Sequence, residues 1–179
     1  RSRVKVYNVE GDDVMSLLLC GLCGVLGEEV FVVPAAHEGD AALQRTIEHE
    51  LVHAIFFQKY KGAIPTWMEE GLANYLGKTG PVDYLWLSQQ PYRDVTSLSH
   101  PARDHSGSRF HYQASQAVTE YIASKCSLHD LLELSVGKKL ETYLSTFCEI
   151  SDVNAGFQKW LHDKALVQPK DKPKNKTKA

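Results

Sequence analysis

The sequence contains no apolar run long enough to cross a membrane, which takes roughly 18–20 residues. Its longest apolar run, from Val14 to Leu26, is interrupted by Ser16, Gly21 and Gly24. No segment repeats elsewhere in the chain. We therefore predict neither a membrane span nor a repeat architecture.

The chain also lacks an excess of charge of either sign. It carries 20 Lys and Arg against 22 Asp and Glu, a formal net charge of −2, which argues against a nucleic-acid partner. The 43% hydrophobic and 23% charged residues are typical of globular proteins. A length of 179 residues predicts a single domain over residues 1–167. We also expect a monomer. The lysine-rich residues 168–179 are predicted to be a disordered tail.

Cysteine is scarce, and the four cysteines do not form a zinc-site pattern. Cys20 and Cys23 make one C-x-x-C, but no second pair follows, so we interpret them as small buried hydrophobes. Cys126 and Cys148 are either a disulfide or two buried thiols. The chain starts at Arg1 without a methionine. Together with the cysteines, this favours an extracytoplasmic protein, periplasmic or secreted.

The residue pattern predicts strands followed by a mostly helical C-terminal half. Alternation of β-branched residues predicts strands at residues 3–9 and 29–34. Asp40 and Thr66 are candidate N-caps, and residues 77–109 show no regular periodicity. Helices are predicted at residues 14–26, 40–57, 66–76, 111–125, 128–134, 138–147 and 151–165.

Residues 49–53 read His-Glu-Leu-Val-His, an H-E-x-x-H motif inside the predicted helix 40–57. Positions i and i+4 of a helix lie on one face, so His49 and His53 can present their imidazoles to one metal ion. Glu50 lies about 100° further round the helix, where a general base would stand beside the metal. A catalytic zinc usually has three protein ligands. Glu69 and Glu70 are the candidates for the third, and sixteen residues separate His53 from Glu70.

The H-E-x-x-H motif, followed by Trp-Met-Glu-Glu-Gly-Leu-Ala-Asn-Tyr at residues 67–75, resembles the gluzincin metallopeptidases, in particular the peptidase-MA-like group related to thermolysin and aminopeptidase N. The likeness covers roughly residues 29–165. It implies that Glu70, which precedes the Gly-Leu-Ala step, is the third zinc ligand. Asn74 then occupies the position of a residue that supports the site, and Glu69 is interpreted as part of a solvated helix face.

The resemblance also implies a mechanism. One zinc ion would be bound by His49, His53 and Glu70, and Glu50 would act as general base on a metal-activated water. By the same resemblance, Tyr112 is the candidate for stabilising the oxyanion. Three histidines, each equally interpretable as a solvated loop residue, are the alternatives: His100, His105 and His111.

We therefore predict an α+β, zincin-like fold, with a small sheet over the H-E-x-x-H helix and a mostly helical C-terminal half. The predicted function is a zinc-dependent peptidase that cleaves peptide or protein substrates. Because the chain lacks the G-x-M-E-N type motif that holds a free amino terminus, an endopeptidase is expected. Two alternatives remain: a catalytically silent or latent domain of the same fold that binds a protein or cell-wall partner, and a helical protein with an accidental motif.

Overall fold

The computed structural model describes residues 5–8, 23–26, 29–32, 39–60, 62–98 and 107–168, the first three ranges by their backbone. Those three ranges are the strands β1 (Lys5–Asn8), β2 (Cys23–Leu26) and β3 (Glu29–Val32), which pair in the order β1-β3-β2. Strand β1 runs parallel to β3, with Lys5 opposite Glu29. Strand β2 runs antiparallel to β3, with Cys23 opposite Val32.

The predicted α+β class is wrong. Within residues 39–60, 62–98 and 107–168 the chain is 67% helical, and no residue of these ranges belongs to a strand. The strands β1 to β3 have four residues each, shorter than an average strand. Among the residues whose burial is described, the hydrophobic core is built from helices and their connections.

Two local predictions near the strands are also corrected. The last four residues of the predicted helix 14–26 form β2 and pair with β3, which supplies the backbone hydrogen-bond partners that a helix would otherwise provide. Residues 14–22 lie outside the described residues. Asp40 is the first helical residue rather than the cap: Gly39 precedes it with a φ of 87°, a left-handed value that glycine adopts readily.

Two helices carry the candidate site. Helix α1 spans Asp40–Lys59, and helix α2 spans Thr66–Leu76 after a turn in which Gly62 has a φ of 80°. Pro65, not the predicted Thr66, is the N-cap of α2. The turn lets α2 fold back against α1, so that residues 49–53 and 69–77 face each other.

Helix α4 (Ser108–Ala123) packs against α2. The most extensive packing in the described part joins α2 to α4, where a Cβ at Gly71 would lie only 1.9 Å from the carbonyl oxygen of Ser115. Only glycine permits this crossing. The core around it includes Met68, Leu72 and Val118, all fully buried. The later elements are α3 (Tyr84–Ser88), a 3₁₀ turn (Val95–Ser97), α4 (Ser108–Ala123), α5 (Leu128–Leu134), α6 (Glu141–Leu144) and α7 (Val153–Val167).

The segment that connects α2 to α3 is fixed by side chains of α4. The Gln113 side-chain oxygen accepts a hydrogen bond from the backbone nitrogen of Asp83 at 2.6 Å. The Gln116 side-chain nitrogen donates to the carbonyl oxygen of Gly80 at 2.8 Å. This part of the irregular region predicted at residues 77–109 is therefore bound to α4 through its backbone.

A disulfide joins Cys126 to Cys148, which decides between the two states that the sequence left open. It ties the end of α4 to the chain that follows α6. No helix in the described ranges is both long enough and apolar enough to cross a membrane.

Candidate metal centre

Helix α1 places two imidazoles side by side. His49 and His53 are one turn apart, and their Nε2 atoms lie 3.1 Å from each other. Their rings meet edge to face, with centroids 4.8 Å apart. Two neutral imidazoles in this orientation can share only one proton between them, whereas both Nε2 lone pairs can bind a single cation.

Helix α2 brings a carboxylate to the same point. The Oε2 atom of Glu70 lies 3.4 Å from His49 Nε2, and its Oε1 atom lies 3.7 Å from His53 Nε2. In a tetrahedral zinc site, bonds of 2.0–2.1 Å place neighbouring donor atoms about 3.4 Å apart. Among the residues that the structure describes, these three side chains form a cluster that could hold a metal ion.

Glu70 is the most deeply buried charged group of this cluster. Only 7% of the residue is exposed, and its Oε2 atom has no hydrogen-bond partner. Burial alone would raise the pKa of this carboxyl, but the imidazoles of His49 and His53 hold it well below its usual range. A buried, ionised oxygen without a donor is costly unless a cation compensates it, so the donor set fits a divalent metal.

His53 lies between two consecutive carboxylates. Its Nε2 faces Glu70, and its Nδ1 lies 3.6 Å from Oε1 of Glu69. Burial alone would lower the pKa of His53, but the two carboxylates outweigh it and raise that pKa to about 10. The side chain of Glu69 is 40% exposed, so the predicted solvated face is only part of its environment.

Glu50 stands beside the three potential ligands without joining them. It follows His49 on α1 and is half-buried. Burial raises the pKa of its carboxyl, and the nearby Glu70 adds to that rise, while the imidazoles of His49 and His53 act in the opposite direction. A carboxylate with a raised pKa accepts a proton more readily, which suits a general base.

Gly77, just after α2, sets the distance between the two helices at the site. A Cβ at this position would lie 3.0 Å from the backbone nitrogen of His49 and 2.7 Å from the carbonyl oxygen of Ala73. The missing side chain thus lets the end of α2 touch the backbone of the first histidine. Sequence reasoning missed this role, because a glycine after a helix is ordinarily explained as a helix end.

Asn74 lies one turn after Glu70 on α2 and is 6% exposed. Its side-chain oxygen accepts a hydrogen bond from the Thr79 hydroxyl at 3.0 Å, while its Nδ2 atom is buried without a hydrogen-bond partner. The supporting role implied by the family resemblance stays a prediction.

The oxyanion-stabilising residue also stays a prediction. Tyr112 lies on α4 and is 38% exposed, with its ring centroid 6.0 Å from that of His111. His111 is fully buried on the same helix, so it is not a solvated loop residue. The other two alternatives, His100 and His105, lie outside the described residues.

The aromatic residues near Glu70 on α2 differ in burial. Trp67 is 3% exposed and packs in the core, whereas Tyr75 is 39% exposed.

Comparisons with known proteins do not assign the chain to a family. No protein-family model, no curated protein and no solved structure matches the chain.

Proposed function

We propose that this chain is a zinc-dependent metallopeptidase of the gluzincin type, an endopeptidase that hydrolyses peptide bonds. The observation that carries the proposal is the convergence of His49, His53 and Glu70 from two helices. The two Nε2 atoms lie 3.1 Å apart, and each lies 3.4 or 3.7 Å from a different oxygen of the Glu70 carboxylate. Two imidazoles, one carboxylate and an open fourth position form the ligand set of catalytic zinc sites. The adjacent Glu50 separates this arrangement from a purely structural site, because structural sites have no need of a base.

The residues divide the chemistry between them. His49, His53 and Glu70 would hold the ion, which when bound supplies Lewis acidity toward water and the substrate carbonyl. Glu50 would accept the proton of the attacking water and deliver it to the leaving amine. The candidate for binding the developing oxyanion is Tyr112, which comes from the family resemblance.

The Cys126–Cys148 disulfide supports an extracytoplasmic location, periplasmic or secreted. Disulfides form and persist in oxidising compartments and are rare where thiols are kept reduced. The substrate of this proposal is a peptide or an unfolded protein segment that reaches the enzyme there.

The experiment compares three variants with the wild-type protein. Glu50→Gln should keep one zinc ion per chain and lose about 10²- to 10⁴-fold in the rate of hydrolysis of a fluorescence-quenched peptide library, because only the base is removed. Glu70→Ala should lose the zinc itself. Glu48→Gln is the matched control, because Glu48 is a neighbouring carboxylate on α1 that accepts a hydrogen bond from Gln44 at 2.8 Å.

Wild-type rates in Glu50→Gln would contradict the assignment of the base. Zinc binding without hydrolysis of any peptide would favour the alternative of a silent binding module. A wild-type protein without stoichiometric zinc would leave the accidental motif as the explanation.

A further inference from the structure

Each ring nitrogen of His53 faces a different carboxylate. Nε2 points toward the metal position, 3.1 Å from His49 Nε2 and 3.7 Å from Glu70 Oε1. Nδ1 points the other way, 3.6 Å from Glu69 Oε1. The ring is thus aligned along a line that joins the metal position to Glu69.

The two glutamates reach opposite edges of the ring because they are neighbours on a helix. Consecutive helical residues project about 100° apart, so Glu69 and Glu70 cannot both enter the metal position. Glu70 has a 9% exposed side chain and occupies the inner edge, and Glu69, 40% exposed, remains at the outer edge. The consecutive residues Glu69 and Glu70 therefore approach the ring of His53 from opposite sides.

We propose that Glu69 is a positioning residue, which holds the Nδ1–H tautomer of His53 so that the Nε2 lone pair faces the metal. Metal-binding histidines commonly donate their second ring N–H to a carboxylate, which fixes the tautomer and the ring orientation and makes the ligand nitrogen more basic. The inference rests on the proposed function only in taking His53 as a metal ligand. It assigns to Glu69 a role beyond the solvated helix face.

The separation of 3.6 Å is an ion-pair contact, longer than a hydrogen bond. Because Glu69 is partly exposed, its charge is screened by solvent, and its contribution to stability is small. Its effect should therefore appear in metal binding and not in folding. This difference separates a positioning role from a structural one.

The test measures affinity for zinc by competition with a chromogenic chelator in the full chain. Glu69→Ala should weaken zinc binding about 10- to 100-fold, the range for removal of an outer partner of a metal-bound histidine. Glu69→Gln keeps an acceptor oxygen without the charge, so it should retain most of the wild-type affinity for zinc. Glu48→Ala removes a carboxylate next to the other histidine in the sequence. This variant should stay within about twofold of the wild-type affinity, because the Glu48 carboxylate accepts a hydrogen bond from Gln44.

A second readout is the visible absorption spectrum of the Co²⁺-substituted protein, which reports ligand geometry independently of activity. It should change in Glu69→Ala and be restored in Glu69→Gln. The proton on Nδ1 of His53 should be detectable by NMR in the zinc-bound wild-type protein and should exchange faster with water in Glu69→Ala.

Zinc affinity of Glu69→Ala within about twofold of wild type would overturn the proposal. Equal losses in Glu69→Ala and Glu69→Gln, or an equal loss in Glu48→Ala, would also overturn it in favour of a simple charge effect. These outcomes require that the wild-type protein binds zinc. Failure of the wild type to bind zinc would instead remove the proposed function.

Discussion

Gly77 brings the end of α2 close to the backbone of His49. Its φ of −76° is open to any residue, so an alanine there meets no conformational strain but only the clash of its Cβ with Ala73 and His49. We predict that Gly77→Ala displaces α1 from α2 and weakens zinc binding roughly tenfold, because ligand geometry is held by the surrounding residues.

The matched control is the next residue. Lys78 has a φ of 52°, which glycine adopts more easily than lysine, so Lys78→Gly should preserve zinc affinity. Zinc titration of both variants measures the effect. Unchanged affinity in Gly77→Ala would show that this contact does not set the ligand geometry.

The residues of the candidate metal centre were largely predictable one by one. The i, i+4 spacing of His49 and His53 depends only on helix geometry, and both rings do face Glu70. The contact of Glu69 with His53 was not predictable, because a glutamate at the edge of a helix face is usually solvated. Its side chain reaches a neighbour on another helix, and sequence spacing does not record distances between helices.

Helices α2 and α4 cross at close distance at Gly71. A Cβ at Gly71 would lie 1.9 Å from the Ser115 carbonyl oxygen and 2.4 Å from the Thr119 hydroxyl. In an exposed helix, replacing glycine with alanine stabilises by about 1 kcal/mol. Here we predict the opposite sign for Gly71→Ala: a loss of about 2 to 3 kcal/mol in the free energy of unfolding, because two helices in a packed core must separate.

Denaturant unfolding measures this loss. The additional change Thr119→Ala should not restore stability, because the nearest atom to the new Cβ belongs to the backbone of Ser115. A Gly71→Ala variant as stable as wild type would contradict the crossing. Full recovery of stability on removal of the Thr119 hydroxyl would show that a side chain, not the backbone, sets the distance between α2 and α4.

Helices were easier to predict than strands. The bounds of α2 and α5 match the predicted 66–76 and 128–134, because long or well-capped stretches with apolar periodicity identify helices directly. Residues 23–26 of the predicted helix 14–26 form β2 instead, because they pair with β3, and local sequence does not show which other segment a strand will pair with.

At the scale of the whole molecule, the Cys126–Cys148 disulfide closes a loop with a sequence separation of 22. A loop of this length reduces the entropy of the unfolded chain and stabilises by about 3 kcal/mol. We predict that Cys126→Ala/Cys148→Ala loses about that much in the free energy of unfolding, measured with denaturant.

Addition of a reductant supplies the control. It should lower the stability of the wild-type protein by a similar amount and leave the double variant unchanged. Equal stability of wild type with and without reductant would show that the bridge does not contribute.

The overall class was the part of the fold that sequence predicted worst. Short alternating stretches indicated the strands β1 and β3, and both are found inside the predicted ranges. The class nevertheless depends on the share of each element, and residues 39–60, 62–98 and 107–168 are 67% helical without a strand. A sequence shows where an apolar stripe lies but not which other element will cover it.

The most direct test of the central claim is anomalous X-ray diffraction at the zinc absorption edge from crystals of the zinc-loaded protein. The account predicts one peak per chain, about 2.0–2.2 Å from Nε2 of His49, from Nε2 of His53 and from a carboxylate oxygen of Glu70. No peak at this position, or a Glu70 carboxylate turned away from the two imidazoles, would contradict it.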